Sequence, residues 1–176
     1  PLAISTFLQM APAAPIIGLV ATLEIVQFLV FGISIAFISW MVGMILNALI
    51  KNKPYYTNLS NLNFIKSDKL NKIIGLGLFK WIVKNTFFKW FNQKLKLKNR
   101  IEIAELKELR TEMTYSEISH LIGFGFVTIF AVVKFSKGDY LFGLIIMIVN
   151  MAMNMYPSLL QQENKRRIDR LIKRFS

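Results

Sequence analysis

The 176-residue sequence contains no cysteine. Disulfide frameworks, zinc fingers and cysteine-held iron–sulfur clusters are therefore excluded. Histidine occurs once, at His120. Acidic residues are scarce, with ten Asp and Glu against 22 Lys and Arg, for a formal net charge of +12. Long stretches lack charge altogether: Ile25 to Ile50 holds no charged side chain, and Ile118–Val133 holds no ionisable group but His120. The opening stretch has no basic n-region of the kind that begins a signal peptide, and is expected to be part of the protein.

What the chain does contain is apolar bulk, at 54% hydrophobic residues. A soluble domain of this length would struggle to bury so much. Charge and apolarity are also segregated. Residues 51–117 carry fourteen Lys and Arg against six acids, residues 161–176 carry six against two, and elsewhere the charges cancel. A membrane-spanning helix needs about 20 predominantly apolar residues. The pattern predicts an all-α integral membrane protein, a single membrane domain of about three transmembrane helices. Residues 1–22 form an apolar lead-in, 23–48 the first span, 118–134 the second and 140–160 the third. The polar turn 134–139 links the last two as a hairpin, and the acid-rich stretch 101–117 extends its first arm as a polar helix.

The positive-inside rule orients this arrangement. With both basic blocks, 51–117 and 161–176, on the cytoplasmic side, the short 134–139 turn and the N-terminus lie outside. The opposite orientation would put twenty Lys and Arg outside. Within the basic middle, Leu76–Phe91 spaces Lys80 and Lys84 apart from Trp81 and Phe88, as in a basic amphipathic helix lying in the headgroup layer. Lys94, Lys96, Lys98 and Arg100 follow it and would sit over anionic lipid. Basic residues interleaved with aromatics can also bind single-stranded nucleic acid. Here the aromatics are needed to anchor a helix between membrane spans, so membrane lipid is the expected partner and nucleic acid is not.

The second half gathers the polar groups. Glu117 lies three residues before His120, a neighbouring position on a helix, and Glu112 lies on roughly the same face about two turns back. A carboxylate beside an imidazole fixes its tautomer and raises its basicity, which suits a general base. The returning arm of the hairpin brings Asn154, Gln161, Asn164 and Arg167 to a similar depth, with amides and a guanidinium able to hold carbonyl, hydroxyl or acidic groups. Each residue also has a plainer reading. A boundary histidine can snorkel, an intramembrane Asn can simply join helices, and terminal Arg and Lys can serve topology alone.

Glu112-x-x-x-x-Glu117-x-x-His120, the hairpin, and Asn154-x-x-Pro157-x-x-x-Gln161-x-x-Asn164-x-x-Arg167-Ile168 resemble the glycosyl-4,4'-diaponeurosporenoate acyltransferase family, whose members acylate the sugar of a staphyloxanthin-type carotenoid glycolipid. The likeness runs from about residue 23 to the end and includes Lys53-Pro-Tyr-Tyr56 by character. It implies transfer of a fatty acyl group to a sugar hydroxyl at the cytoplasmic face of a bacterial inner membrane. Glu112, Glu117 and His120 would then be the acid–base set. Asn154, Gln161, Asn164 and Arg167 would bind a glycolipid acceptor and an acyl donor such as acyl-CoA or acyl-ACP. No metal or bound cofactor is implied, and direct transfer is expected, since no Ser or Cys nucleophile with a nearby base is evident. The chain departs from the family pattern at Gln162-Glu163 and at Lys165.

A different class of function fits the same composition. A non-catalytic subunit could anchor a larger membrane complex, using the small-residue stripe of Gly32, Ser39 and Gly43 on the first helix to meet a protein partner. A small transporter is less well supported, because Glu24 is the one acid near that span.

Overall fold

The computed structural model describes residues 13–86 and 102–175. Its architecture is all-α, with three helices long and apolar enough to cross a membrane among the described residues. Helix α1 (Ala13–Ile50) runs without a break, so residues 13–22, expected within a lead-in, are its first turns. Pro15 fits there because the opening N–H groups of a helix have no intrahelical acceptor. At 1.5 Å per residue α1 is about 57 Å long, well beyond the roughly 30 Å of a bilayer's hydrocarbon.

After α1 come a short turn of helix, α2 (Tyr56–Leu59), then α3 (Asp68–Ile73) and α4 (Leu76–Asn85). Gly75, with φ of +77°, makes the left-handed corner between α3 and α4. Helix α4 buries Leu76 and Val83 and leaves Leu78 and Trp81 largely exposed, giving it two unlike faces. Phe88 and the Lys94–Arg100 run lie outside the described residues.

Helix α5 (Ile103–Ser136) joins the polar extension and the second span in one rod. It stops at a glycine-capped turn: Gly138 adopts φ +82°, its N–H donates to Phe135 O, and Asp139 N–H donates to Lys134 O. These two bonds satisfy carbonyls that the helix end would otherwise leave open. Helix α6 (Tyr140–Asn150) returns, passes through a π-helical turn at Met151–Met155, and continues as α7 (Tyr156–Phe175).

Helix α5 is the centre of the bundle, packing on α1, α6 and α7. Small residues set the approach of α1. A Cβ at Gly43 would lie 2.1 Å from Ser119 O, and one at Gly32 would lie 3.3 Å from Val149 Cγ2. The face bearing Gly32, Ser39 and Gly43 is thus used within the chain. Ile35, Val127, Ala131 and Ile146 form the core at the apolar end, with Phe126, Phe130 and Phe142 against them. Leu106, Met113 and Ile168 form another at the basic end, where α5 and α7 run on together. Ile17, Val30, Met41 and Leu49 of α1, Ile129 and Val132 of α5, and Leu144 and Ile148 of α6 are all exposed. In a chain of this kind such a surface is the one that lipid covers.

Candidate active site

The polar residues of the hairpin form a ladder through the bundle. Asn150 Nδ2 donates to Phe124 O (3.0 Å) and Thr128 Oγ1 (3.2 Å). Asn154 Nδ2 donates to Asn150 Oδ1 (2.9 Å) and to Ser39 Oγ (3.0 Å). Nearer the basic end, Asn47 Nδ2 donates to Tyr115 O (2.8 Å) and Ser119 Oγ (3.0 Å), while Tyr115 OH donates to Met44 O (2.9 Å). Amides placed in an apolar bundle must find partners, and here they tie α1, α5 and α6 at fixed register.

The π turn follows from Pro157. A proline has no N–H, so the carbonyl four residues earlier, Met153 O, loses its helical donor. Tyr156 N–H reaches five residues back to Met151 O instead, and Trp40 Nε1 donates to Met153 O at 3.2 Å. The widened turn therefore docks α1 onto the start of α7 through one indole.

Beside this turn lies a cavity of about 510 Å³. Its walls are mainly apolar: Trp40 and Met44 of α1, Phe79, Ile82 and Val83 of α4, and Met153, Pro157 and Leu160 of the third span. The polar side chains in it are few, with Ser116, Ser119, His120 and Gln161 prominent. Mostly apolar clefts with a few placed polar groups are the usual form of a small-molecule site. His120 meets Trp40 edge-on, with ring centroids 6.0 Å apart. Its Nδ1 is buried and makes no hydrogen bond within the described chain, and the ring neighbours the side-chain amide of Asn154. Gly123 makes room for that amide: a Cβ there would come within 3.0 Å of Asn154 Oδ1 and 3.1 Å of Ser39 Oγ.

The expected site residues divide into groups. His120, Gln161 and Asn154 come together at the cleft, the last as a neighbour of the imidazole. Glu117, expected to partner His120, turns to the other side of α5. It is fully buried, forms an ion pair with Lys165, and accepts a hydrogen bond from Gln162 Nε2 at 2.8 Å. Three residues apart on a helix leaves the two side chains about 60° apart in direction, and a buried cation on α7 claims the carboxylate. Glu112 is exposed on α5, more than two turns from His120. Asn164 is half-buried farther along α7. Arg167 points outward and pairs with Glu163 at 2.8 Å, which Lys80 of α4 also contacts.

Gln162, Glu163 and Lys165, the departures from the family pattern, organise the site's surroundings. Gln162 Oε1 accepts from Phe64 N–H at 2.9 Å, Lys165 Nζ donates to Ser60 O at 2.8 Å, and Arg166 Nη1 donates to Asn63 Oδ1 at 2.7 Å. The 60–64 segment is thereby pinned to α7. Tyr156 OH donates to Ile74 O at 2.5 Å, and Leu76 packs on Leu159 and Leu160, so α4 is held as a wall of the cleft. A visible signal existed: the spacing of Ser158, Gln162 and Lys165 repeats every three to four residues, the period of one helix face.

Chemically, the cleft offers an imidazole with one nitrogen backed by an amide, a carboxamide donor at Gln161, and an apolar volume beside them. Ser119 is engaged, donating to Tyr115 O at 2.9 Å while accepting from Asn47. Ser116 also lines the cleft and makes no hydrogen bond among the described residues.

No curated protein and no solved structure matches the chain. The family model for glycosyl-4,4'-diaponeurosporenoate acyltransferase matches residues 51–174, which takes in α2 to α7 and every polar group of the cleft except those supplied by α1. The chain therefore belongs to the glycosyl-4,4'-diaponeurosporenoate acyltransferase family.

Proposed function

We propose that the protein transfers a fatty acyl group to a sugar hydroxyl of a membrane glycolipid, with His120 as general base. The observation that carries this reading is the placement of the sole histidine in a mainly apolar cleft at the boundary between the apolar and basic parts of the bundle. A long acyl chain needs apolar walls, a sugar hydroxyl needs a proton acceptor, and both are adjacent here.

Asn154, beside the imidazole, is assigned to hold the tautomer that leaves Nε2 free to accept a proton, as a positioning residue. Nε2 takes the proton of the acceptor hydroxyl as its oxygen forms a bond to the carbonyl carbon of an acyl thioester. The carbonyl oxygen becomes an oxyanion, and Gln161, which lines the cleft, donates to it from Nε2. The intermediate collapses by breaking the carbon–sulfur bond, and the imidazolium returns its proton to the departing thiolate. Transfer is direct, without an acyl-enzyme. Acyl-CoA or acyl-ACP is the donor class, and the basic end of the bundle faces the cytoplasm of a bacterial inner membrane. Glu117 supports the site indirectly, through Gln162 and Lys165.

Lipid and pigment profiles of a strain lacking the gene, complemented by the wild-type chain or by His120→Ala at equal protein level, test this. Restoration of an acylated glycolipid by the wild type alone supports the reading. Equal restoration by His120→Ala overturns the assignment of the base. An unchanged lipid profile together with loss of a larger membrane complex would instead identify an anchoring subunit.

A further inference from the structure

A second concave site lies on another side of the bundle at its basic end. The cavity, about 470 Å³, is bounded by the end of α1 and the following turn (Lys51, Lys53, Pro54), by α2 (Tyr56, Thr57) and by α5 (Arg110, Thr111, Thr114). It shares no lining residue with the His120 cleft. Three cations face it and no carboxylate lines it.

We propose that this cavity binds a phosphate group. Several independent features fit that chemistry. Arg110 is held in place from behind: Nε donates to Asp169 Oδ1 at 2.5 Å, and Nη2 donates to Asn61 Oδ1 at 3.2 Å. Nη2 also donates to Asp169 Oδ2 at 3.4 Å, and Nη1 has no partner among the described residues, so one fixed guanidinium nitrogen remains to be used. A held, permanently charged donor suits a phosphate oxygen better than a free chain would. Asp169 offsets one positive charge, which leaves two to attract an anionic ligand.

Tyr56 supplies a neutral wall. Its hydroxyl is buried and faces Asn47. Burial pushes the phenol up from its ordinary value, so it keeps its proton and adds no negative charge to the cavity. Lys51 and Lys53 are exposed and unpaired among the described residues, free to close on an anion as point charges. Depth fits as well. Lys51 is the first charge after the uncharged run from Ile25 to Ile50, which places the cavity at the level where headgroup phosphates lie.

The phosphate could belong to an anionic lipid or to a soluble compound, and the two are separable. The full chain is placed in phosphatidylcholine nanodiscs and titrated calorimetrically with inorganic pyrophosphate. In parallel, native mass spectrometry follows retention of phosphatidylglycerol. The variant Lys51→Gln/Lys53→Gln is compared with Lys66→Gln/Lys69→Gln, which removes equal charge from exposed positions outside the cavity. The expected result is one-to-one binding of at least one probe, weakened tenfold or more in the first variant and unchanged in the second. Pyrophosphate binding identifies a soluble source, and phosphatidylglycerol retention alone identifies a lipid. Absence of binding for both probes, or equal weakening in both variants, overturns the proposal.

Discussion

At the scale of single residues, the imidazole owes its setting to a glycine and an amide. Gly123 lies three residues after His120 and leaves the space that Asn154 Oδ1 occupies. Gly123→Ala should displace Asn154 by a few tenths of an ångström, lowering acyl transfer while the protein still inserts. A rate equal to wild type at equal protein level would show that Asn154 does not position the base. Glu117 has a different kind of importance. Removing one member of a buried ion pair strands the other and costs about 3–5 kcal/mol. Glu117→Gln should therefore lower the thermal stability of the detergent-solubilised protein, and Lys165→Met added to it should recover part of the loss. Failure of the double variant to recover any would mean that the pair is not what the first variant broke. His120 itself was legible in the sequence as the one histidine beside a span. The partner of Glu117 was not, because helical neighbours compete with residues on distant helices, and Lys165 sits 48 positions away.

At the scale of elements, the bends and joins of the helices come from individual backbone needs. Pro157 removes one donor, the π turn re-spaces the carbonyls, and Trp40 satisfies Met153 O. Trp40→Phe keeps an aromatic wall but leaves that carbonyl unpaired, at a cost of about 1–3 kcal/mol for a buried polar group. The expected outcome is a lower melting temperature and weakened activity together. An unchanged melting temperature would show that the indole bond does not hold α1 to the third span. The spans were legible because charge is absent from Ile25 to Ile50 and nearly absent from Ile118–Val133. Their continuations were less so. Polar 103–117 and 161–175 prolong α5 and α7 because Leu106, Met113 and Ile168 keep packing beyond the apolar run. Likewise Gly32, Ser39 and Gly43 announced close helix packing without saying which helix; α5 and α6 take that face, and a protein partner of α1 would meet its outer side.

At the scale of the whole molecule, the bundle has an apolar body and a basic end, and both cavities open near the junction. This asymmetry defines an orientation that the absence of cysteine makes easy to test. Single cysteines at Lys137 and at Lys173, each in an otherwise cysteine-free chain, should label oppositely with an impermeant maleimide in intact cells. Lys173→Cys should be protected and Lys137→Cys modified; the reverse pattern would invert the topology. The central claim concerns chemistry at the cleft, and purified full-length protein in lipid nanodiscs can address it without cellular variables. A radiolabelled fatty acyl thioester and a glycosylated carotenoid acid are supplied, and acylated product is counted. The wild type should form product, with His120→Ala slower by about 10²–10⁴-fold, the range for loss of a general base. Product formation by His120→Ala at the wild-type rate would contradict the account.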